Sequence, residues 1–84
     1  MNSYRTHDLR EFLNHVSGIN IRSVQEMNKI LEEMGLQKHE YGHWVLTDLG
    51  KKYSVYQNYV ARPDDWKPEI FNLVLDYLIN KNNA

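Results

Sequence analysis

The residues of this chain with the most obvious chemical potential are its four histidines. His39 and His43 flank a short turn-like segment and could face each other, while His7, Glu11 and His15 recur every four residues along one side of a helix. Neither set has the spacing of a zinc helix, where His-Glu-x-x-His brings two imidazoles and a general base onto one face. The chain has no Cys, which removes disulfides, thiolate nucleophiles and cysteine zinc sites together. It has no Gly-rich phosphate loop and no Gly-x-Ser-x-Gly elbow. Asp64-Asp65, an acid pair just before Trp66, suits capping a following helix better than sharing a proton. No catalytic residue, metal or cofactor is expected, and the chain reads as a binding protein rather than an enzyme.

What remains is recognition chemistry. Gln25, Asn28 and Lys29 share one helix face and are types that can read base edges in a major groove. The same face carries Glu26, Glu32 and Glu33, so one Lys stands against three carboxylates. Affinity for DNA comes largely from neutralising phosphates, and this face is a poor match for a polyanion. Lys38, Lys51 and Lys52, with Arg22 nearby, form a candidate basic edge for phosphate contact. The whole chain gives no basic excess, with ten Lys and Arg against eleven Asp and Glu. DNA binding, if any, is therefore expected to be weak and nonspecific. Tyrosine is enriched at protein interfaces, which makes Tyr41 at a turn tip, Tyr56 at the end of a strand and Tyr59 in a loop candidates for contact with a protein partner.

Three helices, a hairpin and a further strand must position these groups within a single domain, residues 1–84. A first helix is expected over about 7–16, with Thr6 as its N-cap, Gly18 as its stop, and Leu9, Phe12, Leu13 and Val16 on one apolar arc of about 100°. The second, about 23–34, opens on Ser23-Val24-Gln25-Glu26, a capping box, and ends at Gly35. The period then changes. Residues 36–46 read as a hairpin turning through Glu40-Tyr41-Gly42, followed by a capped turn at Thr47–Gly50 and a third strand over Lys51–Tyr56. Gln57–Asp65 reads as loop, broken by Pro63.

The last helix, about 67–80, is apolar around most of its circumference, roughly twice the 100–120° stripe that packing on one side requires. Leu73 and Tyr77 lie where neither core-facing row reaches and are expected to form an exposed interface strip, with a homodimer as the simplest solution. Both Trp44 and Trp66 are expected in the core, where each indole buries ~150–250 Å². No run approaches the ~18 apolar residues of a membrane span. The polar start Met1–Arg5 lacks a signal-peptide core, so the cytoplasm is the expected address and no membrane partner is expected.

Two helices joined by a glycine-containing turn and followed by a hairpin suggest an α+β, mainly helical domain: a helix-turn-helix with a β-hairpin wing and a C-terminal apolar helix. The run Met27-Asn28-Lys29-Ile30-Leu31-Glu32-Glu33-Met34-Gly35-Leu36-Gln37, then Gly42-His43-Trp44-Val45-Leu46-Thr47 and Gly50-Lys51-Lys52-Tyr53, resembles the small winged-helix domains at the C-terminus of phage antirepressors of the KilA-C type. Trp66-Lys67 followed by an apolar helix is similar to the tails of such proteins. The resemblance spans roughly Thr6 to Leu78. It implies a phage or prophage regulatory protein in a bacterial host cell, with a host or phage protein as partner in the manner of an antirepressor or an inhibitor of a host or defence protein. The alternative it implies is a DNA-binding transcriptional regulator. About five residues precede Thr6, where a winged helix normally has a further helix. The C-terminal helix is expected to fill that place, from the same chain or from a partner copy.

Overall fold

The computed structural model describes residues 3–55 and 64–82. Eight elements follow one another: β1 (Tyr4–Arg5), α1 (Thr6–Ser17), α2 (Val24–Glu33), β2 (Gln37–Glu40), β3 (His43–Leu46), α3 (Asp48–Lys51), β4 (Asp65–Trp66) and α4 (Glu69–Asn82). The fold is a mainly helical α+β domain with two small antiparallel pairings, β1 with β4 and β2 with β3.

α1 begins one residue before the expected start. Arg5 occupies the N-cap position in extended backbone without a side-chain cap bond, and Thr6 lies inside the helix. Instead of capping, the Thr6 hydroxyl accepts a hydrogen bond from the Trp66 indole Nε1 at 3.1 Å, in the interior. Gly18 ends the helix in the left-handed region at φ 73, its N–H on the Asn14 carbonyl. The turn to α2 is then clamped through a single residue. Arg10 Nη1 and Asn14 Nδ2 both donate to the Ile21 carbonyl, at 2.8 and 3.0 Å, while Asn14 Oδ1 accepts from the Ile21 N–H at 2.8 Å. With its polar groups satisfied, Ile21 can bury its side chain completely.

The capping box of α2 forms with one displacement. Ser23 Oγ accepts from the Glu26 N–H at 3.1 Å, as the pattern requires, but Glu26 reaches back to the Arg22 N–H at 2.9 Å rather than to that of Ser23. Met27 and Leu31 are fully buried, with Ile30 and Met34 partly so. Gly35 takes φ 79, and the Leu36 N–H reaches back to the Leu31 carbonyl at 3.0 Å, which closes the helix and turns the chain into the hairpin.

β2 and β3 pair Gln37 with Leu46 and His39 with Trp44 on one face, and Lys38 with Val45 and Glu40 with His43 on the other. Only the base of the inner face, Gln37 and Leu46, is buried. The turn is a two-residue one, tighter than expected, with Tyr41 at φ 51 and Gly42 at φ 77. Both central residues at positive φ is the pattern of a type I′ hairpin turn.

Two expectations are corrected after the hairpin. Residues 51–55 do not form a third strand; Thr47 caps a short helix instead, its Oγ1 accepting from the Gly50 N–H at 3.0 Å and donating to the Gly35 carbonyl. Gly50 lies so close to the backbone that a Cβ there would overlap the Leu36 carbonyl. A strand-like contact survives around Ser54, which bridges to Trp66, with the Val55 N–H on the Asp65 carbonyl at 3.1 Å. Residue 56 and most of the expected loop lie outside the described residues.

The second correction concerns the two indoles. Trp66 is fully buried, whereas Trp44 is only half-buried and packs edge-on against His39 with ring centroids 4.8 Å apart. Trp44 sits toward the hairpin tip, beyond the reach of the core beneath Gln37 and Leu46. Around Trp66 the chain converges. Tyr4 pairs with it, Ser54 bridges to it, the Thr6 N–H bonds to the Asp64 carbonyl at 3.1 Å, and the Lys67 N–H bonds to the Tyr53 carbonyl at 2.7 Å.

α4 starts after Pro68 and buries one row, Ile70, Val74 and Leu78, which falls every four residues. These meet Leu9, Leu13, Met27, Leu31 and Leu36 in the core.

Trp66→Ala is therefore expected to remove most of the folding margin, at a cost of about 3–5 kcal/mol, while Trp44→Ala costs about 1 kcal/mol or less. Urea unfolding of the two variants checks the order; equal losses would place both indoles in the core. Gly50→Ala should also destabilise, by about 1–3 kcal/mol from overpacking against backbone that cannot yield, and the same titration measures it.

Candidate interaction surfaces

The expected basic edge is largely occupied by its own neighbours. Lys38 Nζ lies 3.4 Å from Glu40, and Lys51 Nζ 3.9 Å from Asp48. Asn28 is tied inward: Gln37 Nε2 donates to both its side-chain and its backbone oxygen, at 3.1 Å each. That pair fastens the hairpin base to α2 and takes from Asn28 the amide oxygen a base edge would need. Gln25, Lys29 and Lys52 are exposed. Arg22 is exposed as well and stands before the first turn of α2. The structure brings Asn28 to the hairpin base.

The histidines do not converge. His39 and His43 point to opposite faces of the hairpin, because their cross-strand partners are Trp44 and Glu40 respectively. His7 Nε2 meets Glu11 at 3.2 Å, and His15 is not part of that contact. Among the described residues, no group of three His, Cys, Asp or Glu is placed to hold a metal ion. No described helix is long and apolar enough to cross a membrane.

Of the tyrosine candidates, Tyr41 is 97% exposed at the hairpin tip. Its left-handed backbone is uncommon for a bulky residue. Tyr56 and Tyr59 lie outside the described residues.

The apolar excess of α4 splits into two flanks. On one side Leu73 and Tyr77 are half-buried instead of forming the free strip expected. They line a groove of about 380 Å³ with Met34 from α2 and Leu49 and Tyr53 from the α3 region. Exposed carboxylates of Glu33 and Asp76 complete its lining. On the other side Phe71, Leu75 and Ile79 run alongside α1. There Phe12, at 42% exposure, Val16, at 53%, and Ile79, at 44%, remain open to solvent. Phe12 and Val16 were expected in the core; Leu9 and Leu13 alone fill the space that α1 faces. Phe12 instead joins an aromatic cluster with Phe71 at 5.0 Å and Tyr4 at 5.7 Å between centroids. A groove of about 380 Å³ follows, lined by Val16, Ser17, Ile19, Leu75, Ile79 and Asn82, none of them charged.

Sequence reasoning found the excess on α4 but not its second flank. A single chain read by periodicity cannot separate Phe12 and Val16 from Leu9 and Leu13, because all four share one arc. Leu49, Met34 and Glu33 escaped notice because nothing local marks their meeting with α4.

One electrostatic feature is built across α2 and α4. Glu33 Oε2 accepts from Lys81 Nζ at 2.9 Å and from the Tyr77 hydroxyl at 3.0 Å. Hydrogen bonding to Lys81, then to Tyr77, holds the Glu33 carboxyl below the usual carboxylate range. The same bonds push the Lys81 ammonium and the Tyr77 phenol upward. A depressed carboxyl adds stability above its unfolded value of about 4.3 and loses it as pH falls through the folded value. Between pH about 5 and about 3 the parent should therefore lose stability relative to Glu33→Gln, and the gap between their thermal midpoints should narrow. The effect is small, since solvent screens an exposed pair; a gap constant across that range would place the carboxylate outside the network. Set against protein-family models, curated proteins and solved structures, the chain matches none of them.

Proposed function

We propose that this domain is a non-catalytic regulator that acts by binding other protein chains, on a winged-helix scaffold and in the manner of phage antirepressors or inhibitors of host or defence proteins. The observation that carries the protein-binding reading is the apolar face of Phe12, Val16, Leu75 and Ile79, open to solvent on the α1–α4 side. An exposed apolar strip of this kind marks a surface that another chain covers. The packing of α1 on α2 across a six-residue connection, the hairpin that follows, and α4 packed beside α1 support the scaffold. The phage setting rests on the sequence resemblance alone.

The occupant of the α1–α4 face is a second copy of this chain. In a twofold dimer a patch meets itself, so it must tolerate its own charges. The groove along α4 is lined by no charged residue and meets that condition. The DNA-binding alternative loses ground because Asn28 is tied to Gln37 and the α2 face sets Glu26, Glu32 and Glu33 beside Lys29.

Sedimentation equilibrium tests the dimer directly. The parent should associate with rising concentration, and Val16→Glu/Ile79→Glu should stay monomeric with its fold retained. A parent that remains monomeric at all concentrations overturns the dimer. Binding to mixed-sequence duplex DNA, titrated with salt, should be weak at about 0.15 M ionic strength, where exposed charges are screened. Tight binding to one operator, lost on Lys29→Ala, would instead make the domain a DNA-binding regulator.

A further inference from the structure

The groove on the other flank of α4 differs from the first in one respect that decides its partner: its lining is acidic. Around α4, Asp76, Leu73 and Tyr77 succeed one another on adjoining strips of the surface, with Leu73 in the middle. The Tyr77 hydroxyl then leads to Glu33 on α2. Leu73 is thus bracketed by the Asp76 carboxylate on one side and the Tyr77–Glu33 pair on the other. Met34 and Leu49 extend the apolar lining, and Leu49 keeps 42% of its surface open. None of the ion pairs among the described residues involves Asp76.

The domain itself displays the chemistry this groove favours. Lys81 places its ammonium 2.9 Å from Glu33 and 5.9 Å from the centroid of the Tyr77 ring. A cation held by a carboxylate beside an aromatic face is the arrangement a lysine or arginine from another chain would adopt. Asp76 offers a second carboxylate, without a cation from the described residues.

We propose that the α2–α3–α4 groove docks a basic amphipathic segment of a partner protein, with an aliphatic side chain laid against Met34, Leu49, Leu73 and Tyr77 and neighbouring Lys or Arg groups on Asp76 and Glu33. The proposal rests on the protein-binding reading above and is independent of the dimer. A second copy of this chain is disfavoured here, because the groove lining holds no Lys or Arg for Asp76 and the neighbouring Lys81 is already on Glu33. Nucleic acid is disfavoured by the same charges. Helix-in-groove docking with an apolar anchor and flanking charges is an established mode of peptide recognition.

The test uses two labelled synthetic helical peptides with the same leucine spacing, one flanked by lysines and the other by glutamates. Fluorescence anisotropy gives their affinities for the full chain, and NMR shift perturbation locates the contact. The lysine peptide should bind, shift Met34, Leu49, Leu73 and Tyr77, and weaken as salt rises. Glu33→Gln/Asp76→Asn should weaken it by about threefold to tenfold, the scale of losing two solvent-exposed charge pairs. Leu49→Ser, at an exposed position, should weaken it without unfolding the domain. Lys81→Met should strengthen it by freeing Glu33. Val16→Glu/Ile79→Glu should leave it unchanged, which separates this site from the dimer face. Equal binding of the two peptides, no binding of either, shifts confined to the α1–α4 face, or unchanged affinity in the double carboxamide variant would each overturn the proposal.

Discussion

The burial of Trp66 is the constraint on which the rest of this structure depends. The residue belongs to a two-residue strand that cannot stand by itself, yet the segments at Tyr4, Ser54 and Lys67 all meet around it. Its indole N–H would be costly to bury without an acceptor, and the Thr6 hydroxyl supplies one from the first turn of α1. One side chain thereby fixes where α1 begins, where the segment after α3 returns, and where α4 departs. In a chain of 84 residues, which buries a smaller share of its surface than a larger domain, such a convergence replaces the redundancy of a deep core.

The second joint lies between α2 and the hairpin. Gln37 is almost fully buried and spends its amide N–H groups on Asn28, while Gly50 lets α3 lie directly on the Leu36 backbone. Thr47 adds its own bond to the Gly35 carbonyl. The hairpin is therefore anchored at its root, where β2 packs on α2 and β3 on α3, and Tyr41 projects from its end. Of the side chains a nucleic-acid reading would have used, these contacts take up Asn28, while Arg22, Gln25, Lys29 and Lys52 stay exposed. The apolar surface on the two flanks of α4 differs in charge, with no charged residue lining one groove and Glu33 and Asp76 lining the other.

The sequence by itself determined the local elements. Ser23 and Glu26 announced the start of α2, Gly18, Gly35 and Gly42 marked the backbone turns that only a residue tolerant of positive φ takes without cost, and the apolar excess of the last helix declared that more than one of its sides is covered. These signals are legible because each depends on neighbours within a few residues. The capped turn at Thr47 was equally local, although the strand read after it was not, since Lys51–Tyr56 has no pattern that distinguishes a strand from the end of a short helix.

Tertiary structure decided which aromatic and aliphatic groups are inside. Trp44 and Trp66 are chemically identical, but Trp66 lies where β1, Ser54 and α1 close over it and Trp44 lies near the free end of a hairpin. Leu9 and Phe12 occupy one helical arc, yet the core beneath α1 is only wide enough for Leu9 and Leu13, so Phe12 is displaced onto Phe71. The meeting of Glu33 with Tyr77 and Lys81 joins residues more than forty positions apart. Burial and long-range pairing depend on the volume that other segments leave behind, and that volume is a property of the packed chain.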